Sequence, residues 1–138
     1  MRSTFLTTAL LCGIWASSAA HAAPPIKSVT LPSGVVVTMT KEGTGARPHT
    51  SSVVKVHYRG TLMDSTEFDS SYQRGKPAEF RLDRVIPCWT EGVKLLRVGA
   101  SARLTCPAET AYGVRGAPPK IGSNQILQFD VELLDILG

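Results

Sequence analysis

Apolar and polar residues alternate most regularly near the C-terminal end of the chain. Leu127, Phe129, Val131 and Leu133 fall on one face and Gln128, Asp130 and Glu132 on the other, the period of an antiparallel strand with one buried side. The same period runs through Val53–Tyr58, where Val54, Val56 and Tyr58 share a face, and continues through Thr61 and Leu62. It recurs at Ala102, Leu104 and Cys106. A turn signal, Leu31-Pro32-Ser33-Gly34, precedes the β-branched run Val35–Thr40, which predicts a further strand. Glu67–Ser71 reads as a short extended segment, Tyr72–Lys76 as a polar bulge around Gly75, and Pro77–Leu82 as a resumed strand with Ala78, Phe80 and Leu82 pointing inward. One stretch changes period. Pro87 is favoured in a first helical turn, Trp89, Val93 and Leu96 recur at helical spacing, and Gly99 closes the run, which predicts a helix of about three turns. Residues 108–124 form a long loop dense in Gly and Pro, the kind of loop that tends to be functional. The strands need a cover for their apolar faces and one amphipathic helix can supply it. The predicted class is α+β, with five to six antiparallel strands curved around one short helix.

The first 22 residues do not fit this pattern. Arg2 is followed by the uncharged apolar run Phe5–Ala16 and by Ala20-His21-Ala22, a small-x-small cleavage site, so residues 1–22 read as a secretory signal peptide. Cys12 raises a lipoprotein reading, but Leu11 precedes it where a small residue is expected. The run is short for a membrane span, and no second candidate follows it. The expectation is therefore an exported protein, in a bacterial periplasm, with no membrane attachment after cleavage. Residues 23–33 carry Pro24 and Pro25 without periodicity and read as a flexible tether; 34–138 make one domain of ordinary size. So short a stretch before the first strand leads to the expectation of a monomer. Loss of Arg2 leaves 14 basic against 11 acidic side chains, a net charge of +3, scattered without a block; no nucleic-acid partner is expected.

Cleavage also leaves two cysteines, Cys88 and Cys106. An even pair in an exported protein points to a disulfide; the other reading is two buried thiols acting as small apolar residues. No nucleophile elbow, redox or zincin motif, or phosphate loop is present. His21, His49 and His57 are scattered between the leader, a loop and a solvent-facing strand position, so no metal site or other cofactor is expected. What remains is an aromatic set from different segments, Tyr58, Phe68, Phe80, Trp89, Tyr112 and Phe129, with Asp69 beside it. A carboxylate at the rim of an apolar site needs a partner such as Arg74 or the Tyr58 hydroxyl. Trp89 can be plain core or the floor of an apolar pocket, and the residues by themselves reach only the general description of a ligand site.

The order and spacing of five pieces carry more. Val56-His57-Tyr58-Arg59-Gly60, Phe68-Asp69-Ser70-Ser71, Val85-Ile86-Pro87-Cys88-Trp89-Thr90-Glu91-Gly92, Ala111-Tyr112-Gly113 and Leu127–Leu134 together resemble the FKBP-type peptidyl-prolyl cis-trans isomerases, from about Gly34 to Leu134. The resemblance implies a five-stranded antiparallel sheet wrapped around a short helix. It implies catalytic roles for Tyr58, Asp69, Tyr112 and Phe129, and substrate-binding roles for Phe68, Phe80, Val85, Ile86, Trp89 and Ile121, with the Ile86 N–H holding a substrate carbonyl. The chain departs from the family at Ala78, where an aromatic wall is common, at Arg84, where Glu is familiar, and at Cys88, Ala117 and Lys120. The implied partners are proline-containing unfolded or exported polypeptides and macrolide inhibitors, the latter bound less tightly. Two other classes fit the same pocket: a chaperone or peptide-binding module without turnover, and an interaction domain with a vestigial pocket.

Overall fold

The structure is a computed structural model that describes residues 27–138. The signal segment and the start of the tether lie outside the described residues. Among the described residues there are seven strands and one α-helix: β1 (Lys27–Thr30), β2 (Val36–Lys41), β3 (Val53–Leu62), β4 (Glu67–Ser70), β5 (Ala78–Arg81), α1 (Pro87–Val93), β6 (Ser101–Cys106) and β7 (Leu127–Ile136). All pairings are antiparallel, in the order β1-β2-β6-β7-β3-β4, with β5 also on β3. The α+β expectation holds, with a strand count slightly higher than expected.

The additional strand is β1. Its residues were expected in the tether, yet they pair with β2 in register from Lys27↔Met39 to Thr30↔Val36. All four are exposed. The ladder holds them through backbone hydrogen bonds rather than burial, so no apolar period marks them. Gly34 closes the hairpin at φ +90°, with its N–H bonded to the Leu31 carbonyl at 2.8 Å; left-handed backbone of this kind favours glycine.

β3 is the spine. Its first half pairs with β5 (Val53↔Arg81 to Val56↔Ala78) and its second half with β4, on the side opposite β7. β4 and β5 are thus one edge interrupted by the bulge expected around Gly75. Val54, Val56, Tyr58 and Gly60 of β3 are buried, as are Ala102, Leu104 and Cys106 of β6 and Leu127, Phe129, Val131 and Leu133 of β7, following the alternation.

Helix α1 covers this face. Pro87 occupies its first turn, and Cys88, Trp89, Gly92 and Val93 are buried. It is shorter than the three turns expected. After Val93 the chain tightens, with Leu95 N–H bonding Gly92 O at 3.1 Å and Leu96 N–H bonding Val93 O at 3.0 Å. Such i→i+3 bonds are the usual way a helix ends, and they still leave Leu96 fully buried. Gly92 lets the helix approach β6: a Cβ there would lie 2.9 Å from Leu104 Cδ2. Cys88 and Cys106 are joined by a disulfide between α1 and the end of β6, with Cα atoms 5.6 Å apart and both residues fully buried.

Candidate active site

Where the helix start faces the sheet, the aromatic residues converge on Trp89. Tyr58, Phe80 and Phe129 each meet the indole edge to face, at centroid distances of 5.2, 5.4 and 5.4 Å. Phe68 packs edge-on against Phe129 at 5.5 Å. Edge-to-face contacts align the positive rim of one ring with the negative face of another and hold rings in defined orientations. The rings do not fill the space they enclose. A cavity of about 500 Å³ is lined by Tyr58, Phe68, Asp69, Phe80, Arg84, Val85, Ile86, Trp89, Tyr112 and Phe129. Trp89 is therefore both core, at 4% exposure, and cavity wall.

Phe68 and Asp69 are consecutive, so a regular strand would point them to opposite faces. The pairing with β3 is irregular at this point. Gly60 pairs with Asp69 and Thr61 with Glu67, which leaves Phe68 without an opposite residue. Extra residues of this kind re-aim side chains, and here both neighbours border the cavity.

Asp69 has both partners that the sequence offered. The Tyr58 hydroxyl donates to Asp69 Oδ2, Arg74 Nη1 donates to Asp69 Oδ1 at 2.5 Å, and Arg74 Nη2 donates to the Tyr58 oxygen at 2.9 Å. The guanidinium also lies 5.6 Å from the centroid of the Tyr58 ring. Partial burial alone would raise the Asp69 carboxyl pKa; the hydrogen bonds from Tyr58 and Arg74 outweigh it and hold the group below its ordinary value of 3.8. Burial, helped by the bond to Asp69, pushes the Tyr58 phenol above 10.0 against the opposing pull of Arg74. At neutral pH the site therefore holds an ionised carboxylate and a neutral phenol. Fully buried Ser71 ties this triad together. Its N–H bonds the Tyr58 carbonyl at 2.9 Å and its Oγ accepts the Tyr58 N–H at 2.8 Å, anchoring the turn that carries Arg74. On the outer side of β3, His57 Nδ1 lies 2.8 Å from the same Oγ and the imidazole stacks on Tyr72 at 4.6 Å.

The opposite wall is Val85-Ile86 at the entry to α1. The Ile86 carbonyl accepts the Trp89 and Thr90 N–H groups, while its own N–H has no backbone partner among the described residues. Tyr112, 41% exposed, stands at the rim, just after the short 3₁₀ turn Ala108–Thr110.

Nine of the ten residues assigned to the site from the sequence thus surround one cavity. Ile121 does not line it. A paired bridge with Ala117 (N···O 2.9 and 3.1 Å) folds the loop back, and the Ile121 side chain is 4% exposed within the core. Two residues went without a role in the sequence reading. Ser71 ends the Phe68-Asp69-Ser70-Ser71 motif, but its role appears only once the turn has closed on Tyr58. Arg84 showed only as a departure from the family, and it lines the cavity. No group of three or more His, Cys, Asp or Glu able to hold a metal occurs among the described residues.

Comparison with known proteins agrees with this geometry. Residues 45–134 match the family of FKBP-type peptidyl-prolyl cis-trans isomerases. The chain is 53% identical over 104 residues to the FKBP-type peptidyl-prolyl cis-trans isomerase FkpA of Aeromonas hydrophila, an alignment of 75% of this chain with 38% of that protein. It is 49% identical over 105 residues to the FKBP-type 22 kDa peptidyl-prolyl cis-trans isomerase of Escherichia coli, covering 76% of this chain and 51% of that one. The crystal structure of FkpA from Escherichia coli superposes with a TM-score of 0.76 at 49% identity, over 79% of this chain and 51% of that chain. The peptidyl-prolyl cis-trans isomerase of Pseudomonas syringae pv. tomato superposes with a TM-score of 0.75 at 37% identity, over 85% of this chain and 84% of that one. The chain spans about two fifths of the length of its FkpA relative and about half that of the 22 kDa protein. By sequence match and by structure alike, the chain belongs to the FKBP-type peptidyl-prolyl cis-trans isomerase family.

Proposed function

We propose that the chain catalyses cis-trans rotation of X–Pro bonds in exported polypeptides. The observation that carries this reading is the apolar, Trp89-walled cavity with two polar features at its edge: the Asp69 carboxylate clamped by Tyr58 and Arg74, and the unpaired Ile86 N–H. Rotation about the bond has a barrier of about 18–20 kcal/mol and takes tens of seconds or more unaided. Resonance creates the barrier by giving the planar amide a charge separation that water stabilises. The twisted amide has less of it. A cavity that removes water therefore raises the planar state more than the twisted one, and each difference of about 1.4 kcal/mol accelerates rotation tenfold. The rings would grip the prolyl side chain. The Ile86 N–H and the Tyr112 hydroxyl would anchor flanking carbonyls, and the Asp69 charge would orient carbonyl dipoles with their carbon ends toward it. Neither proton transfer nor a nucleophile is needed, in keeping with the absence of such motifs.

Export to an oxidising compartment such as the periplasm is part of the proposal. It is supported by the leader pattern of residues 1–22 and by the buried Cys88–Cys106 bond. No helix among the described residues is long and apolar enough to cross a membrane.

The test is exchange spectroscopy on a proline tetrapeptide without a coupled protease. Wild type should accelerate exchange, and Asp69→Val should lower kcat/KM by tenfold or more with an unchanged circular dichroism spectrum. Equal rates for the two proteins would remove the site assignment. Protection of a client from aggregation without any acceleration would instead make the chain a binding module.

A further inference from the structure

We infer that Arg84 makes this site select proline segments carrying an acidic residue beside the proline. The inference rests on the isomerase reading above and specifies its substrate class.

Of the residues that line the cavity, two are charged at neutral pH, Asp69 and Arg84. They differ in their surroundings. Asp69 is neutralised by Arg74 at 2.5 Å. Asp83, the carboxylate next to Arg84 in the chain, is engaged by Arg81 at 2.8 Å. Arg84 is exposed and forms no ion pair among the described residues. The wall of Phe68 adds a second cation, because the Lys120 ammonium bonds the Phe68 carbonyl at 3.2 Å and has no carboxylate partner there. The cavity wall thus carries at Arg84 a positive charge that no carboxylate among the described residues compensates.

Arg84 immediately precedes Val85-Ile86, the wall whose free N–H faces the substrate backbone in the proposed binding mode. A guanidinium with a free planar fork pairs well with a carboxylate, in two parallel hydrogen bonds. A Glu or Asp one position from a bound proline would supply that carboxylate. The contact is made by the side-chain carboxylate and not by the amide that rotates, so it strengthens ground state and transition state alike. It therefore lowers KM and leaves kcat unchanged.

The experiment compares peptides of the type Ala-Xaa-Pro-Phe and Ala-Pro-Xaa-Phe, blocked at both ends, with Xaa as Glu, Gln or Lys. At low ionic strength, kcat/KM for Glu should exceed that for Gln by about two- to fivefold at one or both positions, the range of a solvent-exposed ion pair, with Lys below Gln. The difference should sit in KM and shrink toward unity in about 0.5 M salt. Arg84→Gln should bring the Glu/Gln ratio to about one, Arg84→Lys should retain a preference, and Arg84→Glu should reverse the order of Glu and Lys. A wild-type ratio near one at both positions overturns the inference, as does a ratio that Arg84→Gln leaves intact. Gln-peptide turnover reports separately on the isomerase reading. If no peptide is turned over, that reading falls, and the same Glu/Gln comparison made on peptide dissociation constants still decides the role of Arg84.

Discussion

Gly60 lies where the site's rings leave no room for a side chain. A Cβ there would come within 2.6 Å of Phe68 Cζ and 3.0 Å of Phe129 Cε1. Both rings belong to the cavity wall, so their displacement would reach the site as well as the core. Gly60→Ala should cost about 1–3 kcal/mol in urea unfolding, the range for overpacking, and should lower isomerase kcat/KM. Titration at this scale has two limbs. The Asp69 carboxyl is held below its ordinary 3.8, so the stability it contributes is complete above that pH and is lost as pH falls through its lower folded-state value. The Tyr58 phenol is held above 10.0, so its contribution is complete below that pH and is lost as pH rises through its higher folded-state value. Urea midpoints measured against pH should show both limbs. Asp69→Asn should flatten the acid limb and Tyr58→Phe the alkaline one.

Helix α1 has only about two turns, too few to persist alone in water. Its place is set by the sheet. Trp89 and Val93 bury one stripe, Gly92 permits close contact with Leu104 on β6, and the Cys88–Cys106 bond joins the first helical turn to the end of the same strand. Because Trp89 follows Cys88 directly, the bond also holds the cavity wall. The bridge closes a loop with a sequence separation of 18, for which chain entropy predicts a stabilisation of about 3 kcal/mol. The double variant Cys88→Ala, Cys106→Ala should lose about that much in denaturant unfolding.

In the whole molecule, order should fall from the middle of the sheet to one edge. β3 pairs along its length with β7 on one side and with β4 and β5 on the other, and β7 in turn pairs with β6. Among the described strands β1 pairs only with β2, and it buries none of its residues. Native-state hydrogen exchange should therefore find the β1 amides opening locally, with low protection. The central amides of β3 and β7, such as those of Val56 and Val131, should exchange only with global unfolding. Equal protection across β1 and β7 would contradict this ordering.

The inward faces of β3, β6 and β7 were legible because alternation is local: a strand buried on one side must repeat every second residue, wherever it sits in the sheet. The helix start was legible for the same reason, since Pro87 and the spacing of Trp89 and Val93 act within a few residues. The aromatic site was legible only through the order of motifs, because no period states that Tyr58, Trp89 and Phe129 meet. Other features required the closed chain. β1 is held by a backbone ladder that leaves no apolar signature. Phe68 and Asp69 both border the cavity although they are consecutive in β4, where the β3–β4 register slips by one residue. The bond between Cys88 and Cys106 was legible as one of two readings of an even cysteine pair, and the structure decides for it; the anchoring of the Arg74 turn through Ser71 and the withdrawal of Ile121 into the core are contacts that only the closed chain makes. Which of two neighbouring cations is free is likewise decided by side-chain placement: Arg81 and Arg84 both flank Asp83 in the sequence, and in the structure Arg81 pairs with it while Arg84 lines the cavity.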